Sequence, residues 1–464
     1  MSNMGKKPHK KSADIEYSSK IYLSYSLGGF LIHFLTAAMA VRIIFFYENV
    51  LLLNIVLIGM VFVIFGFWNM INDPIIGFLS DKNYRFTEKW GRRFPWYITT
   101  VFPSCILYLL IFVVPFTDTI GMFLWLLIIL CAFEFAFSAW NTTYLALFPE
   151  KFRSTKERIK IGGYSTVLGQ IGLALGILLP PLLIEPENIE SYILAALMVM
   201  IISIIIASLM IPGMREVKGF KVNTFRNIES ESFIKVLKTS LKQKNFRIYL
   251  FVYLAHSVLT VMMLASIPFW TVYIIASENP TTMEILLAGI FLLGGTISVP
   301  FWVKIGRRYG NRKGFIYGTF LTSILFIPLL FLTNLILILI VIGLLGTGIG
   351  GIWTLIHPCF SDVIDESILL TNKRQEAFYT GIRTFVGRFA IVIQGIAFAL
   401  VHTFTYFRPG AKNQGPLALW GIRVLMALIP MIFYFIAFIL IWRIYDLTPE
   451  KVHKNQKLLK EKEL

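Results

Sequence analysis

The chain has 464 residues, 56% of them hydrophobic and 15% charged, with a formal net charge of +17. So little charge cannot cover the surface of a soluble protein of this size, and the apolar runs are continuous where the strands of a membrane β-barrel would alternate. The basic residues lie in loops between apolar runs, which argues against a nucleic-acid partner, and with no nucleotide loop, metal cluster or nucleophile motif no enzyme is expected.

Residues 1–20 form a polar, basic tail carrying Lys6, Lys7, Lys10, Lys11 and Lys20, and the apolar run after it has no small-residue cleavage site, so no cleaved signal is expected. A bilayer core takes about 20 apolar residues per helix, which places spans at roughly 21–47, 54–80, 95–116, 119–147, 160–184 and 191–212. A polar segment covers 213–245, and six more spans follow at roughly 246–277, 283–305, 314–333, 334–364, 374–404 and 416–446, leaving 447–464 as a second tail. The reading is therefore an all-α membrane protein of twelve transmembrane helices, with six-helix bundles at 21–212 and 246–446. Cys105, Cys131 and Cys359 match no metal spacing and read as packing residues.

Lys and Arg crowd the even-numbered loops, with Lys82, Arg85, Lys89, Arg92 and Arg93 in the second and Lys304, Arg307, Arg308, Arg312 and Lys313 in the eighth. Loops 48–53, 115–120, 185–190 and 278–282 have neither residue, so the positive-inside rule puts both termini and the central loop in the cytoplasm, with the plasma membrane as the expected location. The two halves also read as a repeat. Asp81 and Gly91-Arg92-Arg93 in loop two correspond to Gly306-Arg307-Arg308 in loop eight, and Pro149-Glu150 with Glu157-Arg158 correspond to Asp365-Glu366 with Arg374-Gln375-Glu376. A parallel 6+6 repeat is the architecture of the major facilitator superfamily, with substrate held between the halves. Gly169, Gly172 and Gly176 in the fifth span, and Gly343, Gly346, Gly348, Gly350 and Gly351 in the tenth, permit close packing and bending.

Ionisable groups deep in spans cost about 2.5–3.5 kcal/mol each on insertion scales and mark function. Asp73 is the clearest; Asn69, one turn before it, shares its face. A carboxylate beside an amide oxygen can hold a proton or a small cation, with Na+ at Asp73 the metal to consider. In the fourth span Glu134, Ser138 and Asn141 make one polar stripe, and Trp140 beside Asn141 is the aromatic ring expected to stack on a sugar. In the first span His33 is a substrate or titrating group, while Arg42 is expected to snorkel outward. In the eleventh span Arg388 is the natural partner for Asp73 or Glu134, and Arg383 is expected to reach the cytoplasmic face. His256 and Thr260 form a weaker pair in the seventh.

Asn72-Asp73-Pro74-Ile75-Ile76-Gly77, then Asp81 and Gly91-Arg92-Arg93-Phe94-Pro95-Trp96, resemble the glycoside–pentoside–hexuronide:cation symporter family typified by melibiose permease. Tyr144 to Glu150, Glu157-Arg158, Asp362 to Glu366 and Lys373 to Ala377 resemble it in register across about 300 residues. The resemblance implies secondary transport by alternating access, with Asp73 at a cation-site aspartate, Asn69 in place of a second, Ser138 at a cation-site threonine and Arg388 at the lysine linking cation and sugar sites. It also implies that His33 and Asn141 replace two sugar-contacting aspartates and Thr166 an arginine. Asp81, Gly91, Arg92, Arg93, Glu150, Asp365 and Arg374 fall in its cytoplasmic gating motifs. The expected activity is cation-coupled symport of a sugar, glycoside or hexuronide by a monomer, its partners a small-molecule substrate and membrane lipid, with H+ or Na+ co-transported and no resident cofactor. The same family includes lysophospholipid carriers, a second reading; a non-transporting receptor or scaffold is a third.

Overall fold

The computed structural model describes residues 17–81, 87–152, 154–216, 233–373 and 376–461, which form helices with no strand among them. The long helices are α1 Ser19–Phe45, α2 Ile55–Asp81, α3 Phe94–Phe112, α4 Thr119–Lys151, α5 Thr155–Leu178, α6 Ile189–Met214, α7 Lys244–Phe269, α8 Pro280–Tyr309, α9 Asn311–Leu329, α10 Leu335–Thr371, α11 Glu376–Phe404 and α12 Pro416–Arg443. Among the described residues, eleven helices are long and apolar enough to cross a membrane. The remaining long helix, α9, has 19 residues and opens on Arg312 and Lys313, which dilutes its apolar character. Helical spans are what lipid demands, because each backbone N–H and C=O must find its partner within the segment.

The packing repeats between halves. In the first, α1 lies against α5 and α6, α2 against α4, and α3 against α4 and α6. In the second, α7 lies against α11 and α12, α8 against α10, and α9 against α10 and α12, which is the same scheme shifted by six helices. Local backbone detail repeats as well. α1 runs into a π-helical turn, Phe46–Val50, followed by Leu52 at φ +59°; α7 runs into Trp270–Ile274, followed by Ala276 at φ +48°. Gly91 before α3 and Gly310 before α9 take φ of +88° and +85°, a region that costs little only for glycine.

The halves meet through α2 with α11, α5 with α8, and α1 with α7, pairs that the repeat maps onto one another or onto themselves. α2 and α11 approach closely at Gly59 and Gly395, where a Cβ on either would lie 2.8 Å from the other's carbonyl oxygen. Cross-half polar contacts gather at the end away from the termini. Arg42 pairs with Glu284, His402 Nδ1 lies 2.8 Å from Glu48 Oε1, and Asn49 Oδ1 accepts from Tyr273 Oη at 2.8 Å and from the Gly410 N–H at 3.0 Å. Arg42 and Glu284 are both buried, so Arg42 does not snorkel as the sequence reading expected; its neutralising acid sits 242 residues away on α8. These cross-half contacts seal the molecule at the distal end.

The second tail is not free. Residues Pro449–Glu461 form a helix, and Lys451 Nζ lies 2.6 Å from Glu366 Oε1 and 2.8 Å from Asp446 Oδ1. Asn245 Nδ2 donates to both of these carboxylates at 2.7 Å, tying the start of α7, the end of α10 and the last helix into one clasp.

Candidate coupling site

Asp73 stands on α2 facing α4 and α11. Ser138 Oγ donates to Asp73 Oδ1 at 2.7 Å and also lies 3.0 Å from Glu134 Oε1. On the other side Arg388 Nη2 approaches Asp73 Oδ2 at 3.4 Å, and these two side chains are 30% and 34% exposed, so they face open space. Glu134 is only 3% exposed. A hydroxyl has one hydrogen and cannot donate to two carboxylates at once. The cluster is satisfied when Ser138 donates to Asp73 and a protonated Glu134 donates to Ser138 Oγ, or when a cation bridges the oxygens.

Amide side chains border the Glu134 side of the site. Asn69 is buried and contacts the Glu134 carboxylate; Asn72 is buried and donates through Nδ2 to the Glu134 carbonyl at 3.2 Å. The Oδ1 atoms of Asn69, Asn72 and Asn141 are buried with no hydrogen-bond donor. An all-oxygen set of carboxylate, hydroxyl and amide donors suits a hard monovalent cation. Asn72 was quoted within the sequence motif but given no role, although residues 69, 72 and 73 share one helical face.

The substrate-side expectations divide. His33 and Thr166 are exposed and Asn141 half-buried. His33 packs over Gly169 of α5, where a Cβ would lie 2.8 Å from its ring, and Thr166 bonds its own helix at Gly162 O, 2.9 Å away. Trp140 corrects the sequence reading: it is 0% exposed and packs edge-on against Phe137 at 5.2 Å, so neither face is open to a sugar ring. Adjacency to Asn141 misled, because neighbours on a helix point about 100° apart.

The loop-two motif is a clamp within the first half. Glu216, just past α6, accepts from the backbone N–H groups of Arg92 (2.9 Å), Arg93 and Phe94 (3.1 Å), and so caps the N-terminus of α3. A Cβ on Gly91 would lie 2.6 Å from that carboxylate, a second reason for glycine there. Arg92 and Arg93 both reach Glu150 Oε1, at 2.7 and 3.0 Å, joining α3 to α4. In the second half Asn311 Nδ2 donates to Asp362 Oδ2 at 2.8 Å, and Arg312 to the Tyr445 carbonyl at 2.6 Å. Asp365 is half-buried near the end of α10; Arg374 and the Asp81 side chain lie outside the described residues.

Two apolar grooves mark the flank of the first half: one of about 790 Å³ among Trp90, Phe94, Trp96, Thr99 and Arg215, and one of about 550 Å³ among Trp68, Thr100, Leu107, Cys131 and Phe135. Neither is lined by Asp73, Glu134 or Ser138.

Comparison with known proteins agrees with this architecture. The family model described as MFS/sugar transport protein matches residues 24–449. The sodium-dependent lysophosphatidylcholine symporter 1 of Xenopus tropicalis is 22% identical over 431 residues, 84% of this chain and 80% of that one. The uncharacterized symporter YnaJ of Bacillus subtilis (strain 168) is 24% identical over 445 residues, 93% and 92% of the two chains. Among solved structures, a bacterial homolog of the human lysosomal transporter Spinster superposes with a TM-score of 0.67 at 14% identity, covering 95% of this chain and 99% of that one. The nucleoside transporter NupG gives 0.64 at 14% identity, covering 91% and 99%. The chain belongs to the MFS/sugar transport family, and is a multi-pass transporter of the major facilitator superfamily, not an enzyme.

Proposed function

We propose that this chain is a symporter driven by a monovalent cation, H+ or Na+, that binds at Asp73, Glu134 and Ser138. The observation that carries the reading is a charge count: two carboxyl groups share one hydroxyl and one guanidinium. With both carboxyls ionised the cluster holds one uncompensated negative charge, which is costly in a bundle core. One proton or one Na+ brings it to neutrality. Arg388 links the site to the second half, so its pairing with Asp73 registers cation occupancy across the moving interface.

By the positive-inside reading the terminus-bearing end faces the cytoplasm, and the present state, sealed at the distal end, is then closed outward, with the plasma membrane its place of action. Rocking of the halves would break the distal contacts and expose the same site outward. One charge moving down 100 mV supplies about 2.3 kcal/mol, enough for roughly fifty-fold accumulation of a neutral solute.

For the solute, the loop motifs and the family description support a sugar, glycoside or hexuronide. A lysophospholipid is the second reading. It is supported by several relatives named as lysophosphatidylcholine symporters, by the apolar flank grooves, and by the loss of Trp140 as a stacking platform. The test is uptake by proteoliposomes of labelled sugars, uronides and lysolipids under imposed H+ or Na+ gradients. Asp73→Asn is expected to abolish uphill accumulation while sparing exchange. Undiminished uphill uptake in that variant would remove Asp73 from coupling; no gradient-dependent uptake of any solute by the parent protein would remove symport.

A further inference from the structure

A second polar cluster lies across the interface, on α7, α10 and α11, and the coupling chemistry does not use it. The Arg383 guanidinium sits 4.5 Å from the ring centre of Phe360 and 5.1 Å from that of Tyr253. It contacts the Tyr249 hydroxyl, but its buried Nε has no acceptor, and among the described residues no carboxylate pairs with it. Aromatic faces attract the charge yet offer the N–H donors no carboxylate, so beyond the Tyr249 hydroxyl no described oxygen engages the guanidinium. His357 and Ser361 are exposed on one face of α10, and His357 is within electrostatic range of both Arg383 and His256. His256 Nδ1 meets Tyr434 Oη at 3.0 Å, and its Nε2 has no described partner. The nearest acid along α10, Asp362, is engaged by Asn311. Arg383 is five residues from Arg388, about 7.5 Å along α11 toward the termini.

A guanidinium without a carboxylate, in a bundle otherwise built to neutralise its charges, takes a counterion from outside the chain, and the two imidazoles beside it are further polar groups. We infer that Arg383, His357 and His256 form the subsite for an anionic group of the transported solute, a carboxylate or a phosphate, held bidentately by Arg383 with the imidazoles as further donors. The inference rests on the transporter reading and narrows it: a neutral sugar leaves this subsite empty, whereas a hexuronide or a lysophospholipid fills it. In that pose the solute sits within two helical turns of Arg388, so its charge and the coupling cation act on one helix.

The experiment measures binding to the purified full-length chain in nanodiscs, with two matched pairs of labelled probes. One pair is p-nitrophenyl β-D-glucuronide and p-nitrophenyl β-D-glucoside; the other is lysophosphatidic acid and monoacylglycerol. The anionic group should make one member of at least one pair bind about tenfold tighter or more, and the pair that shows it tells carboxylate from phosphate. Arg383→Gln should bring the two members of that pair to within about twofold while leaving the neutral one unchanged, and His357→Gln should do part of the same. Should Arg383→Gln not fold, Arg383→Lys keeps the charge, loses the fork and should still narrow the preference. Equal binding within both pairs, no binding of either anionic probe, or an undiminished preference in the Arg383 variants overturns the subsite. Anion-dependent binding without cation-driven uptake would keep the subsite and defeat the coupling reading; cation-driven uptake of neutral members alone would do the reverse.

Discussion

Ser138 is the residue on which the proposed coupling turns. Its hydroxyl bridges a half-exposed carboxyl on α2 and a buried one on its own helix, so the two cannot be ionised and satisfied together. Ser138→Ala is expected to lower the apparent affinity for the coupling cation about tenfold while solute counterflow persists, the size of a lost hydrogen bond to a charged group. A cation dependence identical to the parent's would reduce Ser138 to a packing residue. At this scale the sequence carried much: the turn from Asn69 to Asp73 and the stripe from Glu134 to Asn141 are periodicities, and periodicity survives folding. It carried less where a role depends on what lies opposite. Arg42 looked like a snorkelling end residue until Glu284 was beside it, and Glu48 and His402, 354 residues apart, drew no notice as a pair.

Among elements, the helix ends carry most of the information. Glu216 caps α3, and Lys151 Nζ donates to the Gly213 and Arg215 carbonyls at the end of α6, at 2.5 and 2.9 Å, so residues just outside the spans hold the first half together. The last helix is held by the Asp446–Lys451–Glu366 clasp. Burial opposes ionisation of Asp446, but hydrogen bonds from Lys451 and Asn245 outweigh it and hold the carboxyl below its usual range; burial likewise opposes the Lys451 charge, yet the hydrogen bonds to Asp446 and Glu366 raise it. A depressed carboxyl stabilises the folded clasp above its unfolded value near 3.9 and loses that as pH falls through the depressed one; a raised ammonium stabilises it below about 10.4 and loses that as pH rises through the raised one. Docking of Pro449–Glu461 is thus expected to be flat between about pH 5 and 9 and to weaken only outside, read as protease cleavage after α12; a release centred near neutral pH would contradict it. The sequence reading left 447–464 as a second tail, and only the acids of α10 and of the α12 exit give Lys451 a structural partner.

For the whole molecule, the decisive feature is that the polar contacts described between halves are Asp73–Arg388 and a group at the distal end. The pairs at that end must separate if the site is to open there, because Asn49 and Tyr273 belong to opposite halves and share a 2.8 Å hydrogen bond. A reducible thiol crosslinker joining Asn49→Cys to Tyr273→Cys is expected to reduce uptake to background, with recovery on reduction. Full uptake by the crosslinked protein would exclude rocking of the halves as the transport motion.

The sequence by itself determined the membrane class, the span order, the repeat and the face on which Asp73 lies, because hydropathy, charge placement and helical period are local quantities that lipid leaves little freedom to override. Tertiary structure alone decided which charges neutralise one another. It put Ser138 between two carboxyls, closed the distal end on Arg42–Glu284 and Glu48–His402, removed Trp140 from the cavity, and left Arg383 between two rings without an acid. The reason is that pairing depends on the rotation and depth of helices hundreds of residues apart, and no spacing along the chain encodes these.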